Sequence, residues 1–367
     1  MLKMALIPEN LGKGLSLVSE IDPTYPHQKK MVIGIAGTAK NTGKTTTLNC
    51  LLKEASYRNI SIAVTSIGFD GEDIDNVTFL PKPRITVYPN FIITTSQQCL
   101  QSSTAVVDVL QHTGMYTPLG EIVILRVMKE GRIVIAGPSN TKELRVVVEK
   151  MKSYNPHYVF IDGSLNRIAP MTVVDSIIFT TGGARSTDIS TLCSEMQVIE
   201  SFFHLPVTDI NVHTASNVVA IPLLLEKQEV EAFQLQQKEN KTTLYISKLI
   251  SSSALEHLTE YCVKGSIMFQ NIIFPDPFSM LIQENIFQTY ECISHLKKSN
   301  VSVLLLHVPT LSCIIANPFY PQYNSNIYYE RYLHSVELLE RLQLSCSAPV
   351  FNAKETKSSI IFDTCLQ

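Results

Sequence analysis

Charge is scarce in this sequence. Of its 367 residues only 17% are Asp, Glu, Lys or Arg, against the ~25% usual in globular chains. Hydrophobic residues reach 45%, and mean hydropathy is +0.12. Such a composition excludes disorder as the main state and requires much of the chain to be buried, inside itself or against a partner. Neither sign dominates: 30 Lys+Arg stand against 33 Asp+Glu. No basic footprint for nucleic acid is present, and no acidic or basic tail. Long apolar runs are missing too. The stretch 301–316 is interrupted by His307 and Pro309, and 218–225 is too short to cross a bilayer. The first residues lack a sustained apolar run with a small-residue cleavage site, so no secretory leader is expected. Cysteines at 50, 99, 193, 262, 292, 313, 346 and 365 form no Cys-x-x-Cys and share no metal-ligand spacing with a His pair. They read as buried or free thiols of a cytoplasmic protein rather than a disulfide framework.

What the chain does contain is α/β alternation. Its length suggests two or three domains. Residues 1–30, with Pro8, Pro23 and Pro26, have no firm periodicity and read as an N-terminal leader segment. An apolar run at 31–36 meets a Gly/Thr-rich turn. A helix follows over 43–57, with Leu48, Leu51, Leu52 and Ala55 on one face, and then a strand at 61–67. This β-loop-α-β order opens a parallel sheet. Two antiparallel hairpins are expected next. One joins 84–88 to 91–95 through Pro89-Asn90, and the other joins 121–127 to 132–136 through Lys129-Glu130-Gly131. Asn140 and Glu143 signal a helix start. Leu144, Val147, Val148 and Met151 form its buried face. Strands at 158–161 and 174–179 follow, then a helix marked by Ile189, Leu192, Met196, Ile199 and Phe203. The Gln-rich stretch 226–241 reads as a linker closing a first domain at 31–225. A smaller α/β domain at 242–367 is expected beyond it, with strands near 243–250, 266–274, 301–308 and 349–353 and helices near 278–298 and 326–343.

The strongest chemical signal is Gly37-x5-Gly43-Lys44-Thr45, directly after the first strand and at the start of the first helix. A Gly-rich turn there lets successive backbone N–H groups point at phosphate oxygens, and the helix N-terminus adds positive potential. Lys44 would reach the outer phosphates of ATP, and the Thr45 hydroxyl would bind Mg2+. Thr38, Lys40, Asn41 and Thr46 complete the candidate nucleotide-binding set. Lys40 is either a surface lysine near phosphate or a group that reaches across to a partner's nucleotide.

A phosphate loop needs an acid for Mg2+ or water at the end of a neighbouring strand. Asp162 ends the apolar run 158–161 and is the candidate, unless it is an ordinary strand-end Asp. Asp70, Glu72, Asp73 and Asp75 cluster after the second strand. Asp70 is the candidate catalytic acid among them, and a solvated loop is the equal alternative. Thr181-Gly182-Gly183 would face the same sheet edge.

GTAKNTGKTTT resembles the phosphate loops of the dethiobiotin synthetase and cobyrinic acid a,c-diamide synthase group, whose members use ATP to activate a carboxyl or carbamate oxygen. On that resemblance the matched positions are Gly37, Thr38, Gly43, Lys44 and Thr45. The chain departs from both. It has Ser66-Ile67-Gly68 where the synthetases carry a Lys-Pro pair, and neither Cys292 nor Cys313 sits on a Gly-rich amidotransferase elbow.

Further strings are similar to another family. TSIGFDGED, PKPRITVY, TPLGEIVILRV, IAGPSNTKEL, FIDGSLNRIAP, FTTGGA and IIANPFYPQY, with the loop, resemble the lysine 5,6-aminomutase reactivase subunit family. The resemblance implies a P-loop protein working with a MutS-like ATPase partner to restore an adenosylcobalamin-dependent aminomutase. It also implies a signature of Asp162, Gly163, Asn166 and Arg167, in which the Arg contacts phosphate, a partner or a structural carboxylate. The corrinoid-binding pattern Asp-x-His-x-x-Gly occurs nowhere, so an accessory role touching the mutase is the expectation. An ATP-dependent ligase or kinase acting on a small carboxylate is the alternative. The expected fold is an α/β, P-loop NTPase-type parallel sheet with antiparallel hairpin insertions and a smaller α/β domain.

Overall fold

The computed structural model describes residues 31–68, 85–163, 169–221 and 242–366 apart from 248, 268, 284 and 325–326, together with 225, 226, 228 and 230. The leader 1–30 and most of the linker 226–241 lie outside the described residues.

The chain begins with β1 (Met31–Gly37), α1 (Lys44–Tyr57), β2 (Ile62–Ser66), β3 (Ile85–Val87), β4 (Ile92–Ser96), β5 (Val106–Thr117), β6 (Gly120–Lys129) and β7 (Gly131–Ile133). It continues with α2 (Thr141–Lys152), β8 (Tyr158–Asp162), β9 (Ser176–Gly182), α3 (Ile189–Phe203), β10 (Val218–Ile221) and β11 (Thr243–Ile246). Next come α4 (Ser252–Val263), β12 (Asn271–Phe274), the single turn α5 (Phe278–Leu281), α6 (Ile286–Lys298) and β13 (Ser302–Leu305). The last elements are β14 (Thr310–Asn317), β15 (Phe319–Asn324), β16 (Ile327–Tyr332), α7 (Ser335–Ser345), β17 (Val350–Phe351) and α8 (Ser358–Cys365).

A nine-stranded sheet has the order β17-β14-β9-β1-β8-β2-β4-β6-β5. From β17 to β4 every neighbouring pair is parallel, and β6 and β5 add an antiparallel edge. This is an α/β architecture with a large, mostly parallel sheet. Central strands of such a sheet are apolar on both faces because helices cover both. β1 obeys this: Val32 and Ala36 join the core beneath α2 and α3, while Ile33 and Ile35 join the core beneath α1 and α8. Helical periodicity picked out the buried faces of α1, α2 and α3, and every residue named for them is buried. The α2 start is also as read: Asn140 Oδ1 accepts the Glu143 N–H at 2.9 Å, a cap worth about 1 kcal/mol.

Strand partners differ from the expected hairpins. Pro89-Asn90 does turn the chain, with Asn90 at φ 70°, but β3 and β4 do not pair. All of β4 is buried, so it inserts between β2 and β6, leaving β3 to pair with β7 outside the sheet. The hairpin that forms is β5-β6, closed between Thr117 and Gly120. Largely exposed β5 carries no apolar alternation to reveal it.

The C-terminal half also divides differently. β10-β11-β12-β13 form a separate four-stranded parallel sheet, but at β14 the chain returns to the large sheet and pairs with β9. Cys313, Ile314, Ile315 and Ala316 are all buried there, on alternate faces of the large sheet. β14 and β17 therefore belong to the first sheet, while β15 and β16 form a two-stranded sheet of their own. The helix expected at 326–343 begins only at Ser335, because 327–332 form a hairpin strand with β15.

Candidate functional site

β1 lies between β8 and β9, and its carboxyl end carries the segment that leads into α1. The turn is tight. A side chain on Gly37 would put its Cβ 2.4 Å from Thr42 Oγ1, 2.7 Å from Thr180 Oγ1 and 2.9 Å from Lys44 Nζ. Only glycine fits that closure. Asn41 (φ 63°) and Gly43 (φ 103°) take left-handed backbone to turn the chain into the helix.

The neighbouring strand β9 pins this turn. Thr38 N–H donates to the Thr180 carbonyl at 2.9 Å, and the Thr38 hydroxyl donates to Thr181 Oγ1 at 3.1 Å. Thr42 and Thr180 hydroxyls lie 2.7 Å apart, and the Thr42 hydroxyl also bonds the Ala39 carbonyl at 2.9 Å. Lys44 Nζ arches back to the Ala39 carbonyl at 3.1 Å. Lys40 and Thr46 are exposed, whereas Asn41, Lys44 and Thr45 are half-buried.

Asp162 ends β8 level with Ile35 of β1 and Ser66 of β2. Its Oδ1 is sealed from solvent and has no hydrogen-bond partner, while the residue as a whole is only half-buried. Burial pushes its carboxyl up to about 6, opposed by the Lys44 charge and by the Gly163 N–H. The Lys44 charge thus acts on Asp162. An orphaned buried carboxylate oxygen is costly unless a ligand, water or ion completes it. Mg2+ takes one or two carboxylates with phosphate and water oxygens, so the Thr45 hydroxyl and Asp162 fit its donor preference. No cluster of three or more His, Cys, Asp or Glu suited to a metal occurs among the described residues.

Asp70 and its neighbours Glu72, Asp73 and Asp75 lie outside the described residues, as do Asn166 and Arg167. The Thr181-Gly182-Gly183 edge does face the loop, through Thr181. One participant was missed. Asn317, at the end of β14, donates from Nδ2 to the Asn41 carbonyl at 2.9 Å, and its Cβ is 3.4 Å from the position a Gly43 Cβ would take. Its backbone oxygen accepts the Gly183 N–H at 2.9 Å. The signal available in sequence was a polar residue ending the apolar run 314–316 just before Pro318.

No helix among the described residues is long and apolar enough to cross a membrane. Comparison with family models, with curated proteins and with solved structures finds no match.

Proposed function

We propose that the chain is a P-loop NTPase-type protein that binds ATP with Mg2+ at residues 37–46. We further propose that it couples binding or slow hydrolysis to the remodelling of a partner enzyme, as an accessory or reactivating subunit for an adenosylcobalamin-dependent lysine 5,6-aminomutase. The observation that carries the nucleotide reading is the junction of β1 and α1. There a closed loop that tolerates only glycine at 37 carries Lys44, whose charge acts on an Asp162 carboxylate with one buried oxygen, Oδ1, left without a hydrogen-bond partner. In this reading the loop N–H groups and Lys44 hold the β- and γ-phosphates. Thr45 and Asp162 hold the metal, which would neutralise charge developing on the phosphoryl oxygens. Asp70, in the position expected of a catalytic acid, would orient water.

The partner reading rests on the sequence resemblance and on a charge content low enough to suit a protein interface. Lys44→Ala should abolish ATP binding, measured by calorimetry, while the circular dichroism spectrum stays native. Retained affinity would refute the loop assignment. ATPase activity should be slow alone and rise when a MutS-like partner or an inactivated aminomutase is added. The five-residue spacing between Gly37 and Gly43 favours one competitor, a dethiobiotin synthetase-like ligase or kinase. Turnover that demanded a small carboxylic acid and ignored every protein partner would establish that reading instead.

A further inference from the structure

The parallel order of β10 to β13 brings the carboxyl ends of its strands to one edge, the edge at which ligands of open α/β sheets bind. The residues just past three adjacent strands, Ser247 after β11, Asp276 after β12 and His307 after β13, line a cavity of about 770 Å3. Arg145, on α2, lines it too. That volume is of the size that encloses small metabolites. None of residues 37–46, nor Asp162, lines it.

The polar groups of this cavity are not a neutral mixture. Asp276 is only 5% exposed, and its carboxylate accepts the Ser279 N–H at 3.2 Å and the Ser279 hydroxyl at 3.5 Å. The Ser247 hydroxyl gives its proton to the Ile221 carbonyl at 2.7 Å. The hydroxyl protons of Ser247 and Ser279 are thus committed to the protein, so around Asp276 these groups offer a ligand lone pairs and a negative charge, with the His307 imidazole beside them. Such a floor matches an N–H-rich cation. Arg145, in contrast, makes no ion pair among the described residues, and its neighbour Glu149 is engaged with Lys152 at 2.9 Å. A guanidinium so placed matches a carboxylate. A purely anionic ligand would meet the Asp276 charge, and a neutral polyol would leave Arg145 without a counter-charge.

We propose that this cavity binds a small aminocarboxylate, with its ammonium on Asp276 and the Ser247 hydroxyl and its carboxylate on Arg145. The site is independent of the nucleotide reading. The test uses the full chain and a homologous series of ω-amino acids from glycine to 6-aminohexanoate, each with its matching alkylamine and alkanoate, titrated by calorimetry. At least one ω-amino acid should bind, its amine more weakly and its alkanoate not at all. Asp276→Asn keeps the shape that accepts the Ser279 N–H and should weaken binding about tenfold or more, the scale of a lost charge-assisted hydrogen bond. Arg145→Gln, an exposed change, should remove the preference for the amino acid over the amine. Absence of binding across the series, preference for alkanoates, or unchanged affinity in folded Asp276→Asn would each overturn the proposal. ATP affinity, measured on the same samples, reports on the phosphate loop separately.

Discussion

At the scale of single residues, Asp162 is the position where stability and proposed function oppose each other. Its carboxyl titrates near 6 in the folded chain because burial disfavours the charge. Between the ordinary carboxylate value and about 6, the folded state holds a proton that the unfolded state has released. Its contribution to stability is therefore lost as pH rises through that window. Asp162→Asn removes the titration. The variant should match the parent near pH 4, gain on it up to pH 6 or so, and exceed it by about 2 kcal/mol at pH 8. Denaturant unfolding of the two chains at several pH values measures this. The same variant should lose Mg2+-dependent ATP binding. A residue whose removal stabilises the empty fold while abolishing binding is the mark of a site rather than of the core. Its candidacy was legible in sequence, since an acid closing an apolar run is a local pattern. The share of Asn317 was not, because its partner Asn41 lies 276 positions away and only the pairing of β14 with β9 delivers it.

Among the elements, the helices α1, α2 and α3 were read well and strand pairing poorly, for one physical reason, while α4 and α8 were not foreseen. The 3.6-residue period of α1, α2 and α3 is written within each segment. The partner of β3 or β4 depends instead on which strand buries both faces, a property of the whole sheet. The last helix illustrates how distant elements lock. α8 packs on α1 through Ile361, Phe362 and Cys365, with the Arg58 guanidinium 4.9 Å from the Phe362 ring centre. The Ser358 hydroxyl donates to Glu54 at 2.6 Å. Phe362→Ala should cost about 3 kcal/mol, the usual scale for emptying a buried aromatic position. Asp363→Ala removes only an exposed partner of Arg58 and should leave the unfolding midpoint nearly unchanged. Thermal melts of both variants decide between a packing clasp and an ionic one. If Asp363→Ala were the more damaging, the packing account would fail.

Over the whole molecule, the chain leaves the large sheet after α3, builds a second parallel sheet, and comes back to complete the first. One apolar core contains Phe179 and Phe203 from the first part together with Phe278 and Leu296 from the second, and the Phe203 ring meets Phe278 edge-on at 5.8 Å. A fragment comprising 31–225 lacks β14, β17 and α8 and leaves an edge of β9 and a face of α1 bare. It should not fold on its own, as size-exclusion chromatography and circular dichroism would reveal. A stable, ATP-binding fragment would contradict the shared-core account. Sequence composition required extensive burial without naming what lies against what. A linear division at 226–241 was the simplest reading, and the re-entry of β14 was invisible to it because that run looks like any other buried strand.

The Asn317 contact carries a consequence for the order in which this protein is made. During synthesis from the amino terminus, residues 37–46 emerge early, yet the amide that steadies Asn41 is translated hundreds of residues later. Until β14 has left the ribosome and docked beside β9, the nascent turn at 37–46 lacks this brace. Under the proposed nucleotide reading, capture of ATP would therefore await the synthesis and docking of β14.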